Sequence, residues 1–244
     1  GYSQIAGIDY SEIFAGTLRN VCFRHICACI AHEDLETDEF DGVKAFTQAK
    51  VDRVLYVEQP KLFEVTGKVL LLYRALEGIV QGANLFMKLN QSTWTDDAKC
   101  GLNQTQIEPN LYTHPTARIL VACFADNNLG AYKKKHEALY LQIKHTYNKY
   151  IKVDYVGLHP ISQFLGVQMI RDRELKLMTI KQTGYINRVC KFEKHSSPVG
   201  NSKADRDAFT KLRDLNSADE KCDRSEFLSV LGELGWVVGM TRGD

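Results

Sequence analysis

The stretch Arg118–Lys135, RILVACFADNNLGAYKKK, holds seven apolar residues in succession, Ile119 to Ala125, that run straight into Asp126, Asn127 and Asn128 before a second short apolar patch begins. An apolar run of that length, closed by polar turn formers and followed by more apolar residues, predicts a buried strand, a turn and a second strand. Asp126 then sits in or beside the turn of a hairpin. A carboxylate aimed out of the end of a buried strand needs either solvent or a cation.

Working outward, the chain alternates helical and strand-like patterns without repeats. From Thr17, a plausible N-cap, the residues Leu18, Val21, Cys22, Ile26, Cys29 and Ile30 recur at helical spacing. The segments TDEFDGVKAF (37–46), VLYVEQP (54–60) and KVLLLY (68–73) read as short and strand-like, and the spacing of Leu85, Phe86 and Leu89 is helical again. IEPNLYTHPTA (107–117) reads as a loop because Pro109 and Pro115 exclude a regular helix. Leu139, Ile143, Tyr147 and Tyr150 step by four, four and three, which places them on one helix face. FLGVQMI, RDRE and LKLMTI then predict a second hairpin, residues 196–224 a polar linker, and FLSVLGELGWVVGM a last apolar piece. This order predicts an α+β fold, with helices packed on a largely antiparallel sheet.

Composition narrows the function classes. The 244 residues are 44% hydrophobic and 25% charged, enough for a substantial core in one large or two small lobes. No apolar run approaches the roughly 20 residues of a membrane helix, and the start lacks the features of a secretory leader. A soluble intracellular chain, with no membrane partner, is expected. A net charge of +1 does not advertise nucleic-acid binding, so any such affinity must be local. Lys133–Lys135 and the group Arg188, Lys191 and Lys194 are candidates, and each reads equally as a solvated face. The seven cysteines show no paired metal-ligand spacing and are expected to be reduced, mostly buried thiols.

A second aspartate, Asp41, lies in the strand-like segment 37–46. Two aspartates delivered by neighbouring strands suit a pair of Mg2+ ions, which take oxygen ligands and, about 3.5–4 Å apart, stabilise both oxygens of a phosphoryl transfer. On the residues alone, a solvated turn is the commoner explanation of such an aspartate.

Seven blocks, in order, resemble the reverse transcriptase domain of copia-type LTR retrotransposons, over nearly the whole chain. They are the opening GYSQIAGIDYSEIFAGTLRN, FDGVKAFTQAKVDRVLYVEQP (40–60), LLLYRALEGIVQGANLF (70–86), IEPNLY (107–112), FADN (124–127) where that family has Tyr-Val-Asp-Asp, FLGVQM with IKQTGYINRVCKF (164–192), and SVLGELGWVVGMTRGD (229–244). The resemblance implies a right-hand polymerase palm with partial fingers and the start of a thumb or connection. Residues 1–182 would form fingers and palm, without the family's N-terminal finger strands, and 183–244 the thumb-like segment. It implies an RNA-directed DNA polymerase that acts on an RNA or DNA template with a primer and on deoxynucleoside triphosphates. Two Mg2+ ions, or Mn2+ in their place, would be held by Asp41 and Asp126. Phe46 would be the gate beneath the incoming sugar, Gln81 would lie beside the nucleotide, and Gly166 would belong to the hairpin supporting the primer terminus. Bland readings stand beside these: Phe46 as core, Gln81 as a polar residue at a helix start, Gly166 as a turn glycine.

The departures carry expectations of their own. Asn127 stands where the family has its second hairpin aspartate, a catalytic position, and an amide is a poorer ligand for a hard dication. Gly42 replaces a bulky apolar residue beside Asp41 and is expected to loosen that strand. Val80 and Asn84 replace Lys and Arg, and Phe86 replaces Trp. Catalysis is therefore expected to be impaired. The alternative is a degenerate transposon relic that keeps at most a nucleic-acid-binding fold.

Overall fold

The structure, a computed structural model, describes residues 2–189 and 224–241. The chain divides into two compact units, one of Gly1–Leu165 and Met169–Thr179, the other of Gly166–Gln168 and Ile180–Asp244.

The first unit is built on a five-stranded sheet. Its strands are β1 (Glu36–Asp41), β4 (Asn103–Gln104), β5 (Leu111–Thr113), β6 (Ile119–Phe124) and β7 (Asn127–Tyr132), in the order β1-β7-β6-β5-β4, with every neighbouring pair antiparallel. A smaller ribbon pairs β2 (Tyr56–Val57) with β3 (Leu70–Leu71). The helices are α1 (Asn20–Glu33), the single turn α2 (Ala45–Gln48), α3 (Gly82–Thr95) and α4 (Glu137–Tyr150). The α+β expectation therefore holds, as does the hairpin predicted from 118–135.

The apolar run of β6 has no alternation because both of its faces are buried. One face, carrying Ile119, Val121 and Cys123, joins Phe40 of β1 and Tyr132 of β7 in a core built with α3 and α4. Aromatic rings dominate it. Trp94 of α3 stacks on Tyr147 of α4 at 4.1 Å, and Phe40 meets Tyr147 edge-on at 5.8 Å. The predicted face of α4 is correct for Ile143 and Tyr147, whereas Tyr150, at the helix end, is exposed. On the alternate face Leu120, Ala122, Leu129 and Ala131 are buried too, and α1 buries Phe23, Ile26 and Ile30.

Several expectations about detail are corrected. α1 begins at Asn20, with Arg19 and not Thr17 at its N-cap. The Arg19 N–H and guanidinium both donate to the Glu108 carboxylate, at 3.2 and 2.9 Å, so an acid from a distant loop satisfies the helix start. Residues 107–117 are not all loop, since Leu111–Thr113 pair with β6. Of 54–60 only Tyr56 and Val57 form a strand.

The second hairpin is present as β9 (Val167–Asp172) and β10 (Leu177–Lys181), in a three-stranded sheet of order β10-β9-β8 with β8 (Gln163–Phe164). Among the described residues that follow are the helices α5 (Thr183–Val189) and α6 (Arg224–Thr241). The Gln182 amide lies 3.0 Å from the Thr241 hydroxyl. The polar linker expected at 196–224, apart from Arg224, and the residues Lys191 and Lys194 lie outside the described residues. Among the described residues no helix is long and apolar enough to cross a membrane.

Candidate active site

The site grows from the end of the sheet where β1 meets the β6–β7 hairpin. The antiparallel register sets Asp41 directly opposite Asn127, and Phe40 opposite Asn128. Because side chains alternate along a strand, Phe40 turns into the aromatic core while Asp41 and Asn127 share the other face as cross-strand neighbours. The hairpin turns on two residues, Ala125 and Asp126, with Ala125 left-handed at φ 55°. An L side chain in that region costs on the order of 1–2 kcal/mol, so the turn is held by its surroundings.

Two contacts hold it. The Gly42 N–H donates to the Asp126 carbonyl at 3.1 Å, stitching the end of β1 to the turn. The Asn128 amide, fully buried, donates to the same carbonyl at 2.9 Å and accepts from the Cys123 thiol at 3.0 Å. Gly42 is thus not a loose point: it is buried, bridged to Val153, and a Cβ there would lie 3.2 Å from that of Ala45. The space that a larger residue would claim is filled by Ala45 and the Phe86 ring.

Electrostatically the site sets the Asp41 carboxylate close to that of Asp126. Oδ1 of Asp41 is buried with no hydrogen-bond partner. Burial first, and the charge of Asp126 second, hold the Asp41 carboxyl above its ordinary value. The Asn127 amide reaches Asp126 Oδ1 at 3.4 Å, a long contact that brings no charge. Among the described residues no group of three or more His, Cys, Asp or Glu side chains is arranged to hold a metal ion. The oxygen set at the hairpin is two carboxylates and one amide.

The other predicted residues are placed as follows. Phe46, on α2, packs edge-on against Phe86 at 6.0 Å and lines, with Ala125 of the hairpin turn, a cavity of about 110 Å³. Gln81 precedes α3 and is buried; its oxygen accepts from Gln4 and its nitrogen donates to the Asp9 carbonyl, both at 3.0 Å. Asn84 is buried as well and donates to the Phe14 carbonyl at 2.6 Å, so the position where the family carries Arg here fastens the N-terminal segment. Gly166, at φ 77°, follows Leu165, at φ 51°, in the two-residue turn between β8 and β9, where a left-handed backbone favours glycine.

Among the basic candidates, Lys133 donates to the Glu33 carbonyl, Lys134 pairs with Glu137 at 2.6 Å, and Arg188 lies over the Tyr185 ring. Cys27, Cys100 and Cys123 are buried free thiols, each pushed up to about 12 by burial.

Sequence reading missed Asp154. Its Oδ1 accepts the Asp41 N–H at 2.9 Å, across 113 residues of chain, and no motif or spacing links the two positions.

Comparison with known proteins follows the same lines. A model of the reverse transcriptase (RNA-dependent DNA polymerase) family matches residues 1–198. The retrovirus-related Pol polyprotein from transposon TNT 1-94 of Nicotiana tabacum is 28% identical over 258 aligned positions. That alignment takes in 100% of this chain and 19% of the polyprotein, so the chain spans about a fifth of its relative's length. No solved structure matches the chain. The ordered blocks and the family match agree, and the chain belongs to the reverse transcriptase family, as the reverse transcriptase domain of a copia-type retrotransposon.

Proposed function

We propose that this domain is built for RNA-directed DNA synthesis by two-metal phosphoryl transfer, and that the copy in hand is catalytically impaired. The observation that carries the reading is the register of β1 on β7, which brings Asp41 to the hairpin turn that presents Asp126. The donor chemistry fits Mg2+, which is commonly bound through one or two carboxylates together with substrate phosphates. The partnerless buried oxygen of Asp41 is an acceptor that a cation would satisfy. When bound, Mg2+, or Mn2+ in its place, supplies charge neutralisation at the phosphates and lowers the cost of deprotonating a primer 3′-hydroxyl.

The remaining roles belong to the chain itself. Asp41 and Asp126 hold the cations, and the Gly42–Asp126 main-chain bond keeps their spacing. Phe46, beside Ala125, forms the floor under the incoming sugar. Gln81 serves the nucleotide side by tying Gln4 and Asp9 in place, and Gly166 gives the β8–β9 turn the conformation needed at the primer side. In this reading the five-stranded sheet with α3 and α4 is the palm, the β2–β3 ribbon belongs to the fingers, and 183–244 begins the thumb or connection. The partners are a primed RNA or DNA template and deoxynucleoside triphosphates.

Asn127 favours the impaired state. It is the cross-strand neighbour of Asp41, so the missing charge is missing where the second hairpin carboxylate would meet the first. Loss of one such electrostatic group costs on the order of a hundredfold to a thousandfold in rate. Primer extension on an RNA template with Mg2+ or Mn2+ tests this. The chain as written should extend near background, and Asn127→Asp should raise the rate about a hundredfold. Robust extension by the unmodified chain would sink the impairment. An inert Asn127→Asp that still binds primer-template would sink the assignment of the site.

A further inference from the structure

The free edge of β1 is covered by a strap of ten residues that has no regular secondary structure. From Lys152 to Ile161 the chain runs beside β1 and bonds to it repeatedly. The Val43 N–H donates to the Lys152 carbonyl at 2.9 Å, and Gly42 bridges Val153 in antiparallel fashion. Farther along, the Glu39 N–H donates to the His159 carbonyl at 2.9 Å, and the Ile161 N–H to the Thr37 hydroxyl at 3.3 Å. At the level of the site the strap makes a two-way contact with Asp41. The Asp154 N–H donates to the Asp41 carbonyl at 3.0 Å, and Asp154 Oδ1 accepts the Asp41 N–H at 2.9 Å. The same Oδ1 accepts the Tyr155 N–H at 2.8 Å, which fixes the carboxylate on its own backbone.

We propose that Asp154 is a positioning residue for Asp41, holding the main chain of that aspartate in register with the β6–β7 hairpin so that its side chain faces Asp126 and Asn127. The assignment of a metal role to Asp41 rests on the polymerase reading above; the latch itself rests only on the geometry. The physical need is plain. Asp41 is the last residue of an edge strand, where the ladder to β7 ends and the main chain depends on bonds from outside the sheet. Its N–H and C=O are both engaged by one residue, the C=O by the Asp154 main chain and the N–H by the Asp154 side chain, so the side chain holds the half of this contact that a substitution can remove. Groups that orient a metal ligand without touching the ion commonly change affinity by 10–100-fold when removed.

The test separates geometry from charge. Asp154→Asn keeps an acceptor oxygen at the same place and removes the charge. Asp154→Glu keeps the charge and moves the oxygen, and Asp154→Ala removes both. Two quantities are read on the folded chain: amide hydrogen exchange at Asp41, with Val121 in β6 as internal reference, and Mn2+ binding by electron paramagnetic resonance. Positioning predicts that Ala and Glu each speed Asp41 exchange and weaken Mn2+ binding about tenfold, leaving Val121 unchanged, while Asn stays within about threefold of the original. The reverse order, with Glu near the original and Asn as poor as Ala, overturns the proposal in favour of a charge effect. Unchanged Asp41 exchange in Asp154→Glu also overturns it, and that variant keeps the test decisive if Asp154→Ala does not fold. A chain that binds no Mn2+ at all brings down the metal reading instead, and the exchange order still judges the latch.

Discussion

Asp38 and Asp41 lie three residues apart on the same strand, and they live in opposite worlds. Asp38 faces α4 and is fully buried, yet every demand of its carboxylate is met: Lys144 at 2.6 Å, the Tyr140 hydroxyl at 2.8 Å and the His159 N–H at 2.7 Å. Lys144 in turn donates to the Gly157 carbonyl at 2.7 Å and lies over the Phe40 ring at 4.5 Å. Asp41 is only half-buried, yet one of its oxygens has no partner and its neighbour Asp126 repels it. A satisfied buried acid is compensated within the fold, whereas an unsatisfied one at a strand end costs the fold stability.

The comparison can be broken most forcefully at Lys144. Removing the cation leaves a buried carboxylate without its counter-charge, so Lys144→Ala should cost about 3–5 kcal/mol in urea denaturation. The double variant Asp38→Asn with Lys144→Met should recover most of that loss; if it does not, the pair is not what anchors β1 to α4. Next in size is Gly130→Ala on β7. Tyr140 stacks on Tyr132 at 4.4 Å and packs over Gly130, where an added Cβ would lie 2.0 Å from the tyrosine oxygen. The ring is wedged against backbone, and thermal unfolding should show a loss of about 1–3 kcal/mol.

The smallest effect, with opposite sign, belongs to Asp41. A carboxyl whose value is raised in the folded state binds its proton there more tightly than in the unfolded chain, so stability falls as pH rises through that raised value. Below the ordinary value of 3.8 both states are protonated and the penalty vanishes. Asp41→Asn should therefore match the original chain in acid and exceed it near neutrality. The gain should be no more than about 0.5 kcal/mol, because solvent screens a half-exposed group. A loss of stability at neutral pH would mean that Asp41 is structural, like Asp38, and the contrast between them would fail.

How much of this was legible in advance depends on whether a feature is local. The hairpin was readable because seven apolar residues ending in Asp-Asn-Asn can hardly be anything but a buried strand and its turn. The face of α4 followed from a helical step through Ile143 and Tyr147, and the family from blocks in order. The start of α1 was misjudged because Glu108, 89 residues from Arg19, satisfies it. Gly42 looked like a weakness and proved to be a stitched point, since its neighbours Val153 and Phe86 come from elsewhere in the chain.

By itself the sequence indicated the main helices, the central hairpin and the family, and offered Asp41 and Asp126 as candidates, because strand and helix periodicity and the order of motifs are properties of consecutive residues. Only the tertiary structure decided that Asn127, not Asp126, is the direct cross-strand neighbour of Asp41, that Asp38 is neutralised by Lys144, and that Asp154 closes the open edge of β1. Register, burial and hydrogen-bond satisfaction arise when distant segments meet, and nothing along the chain encodes which partner arrives.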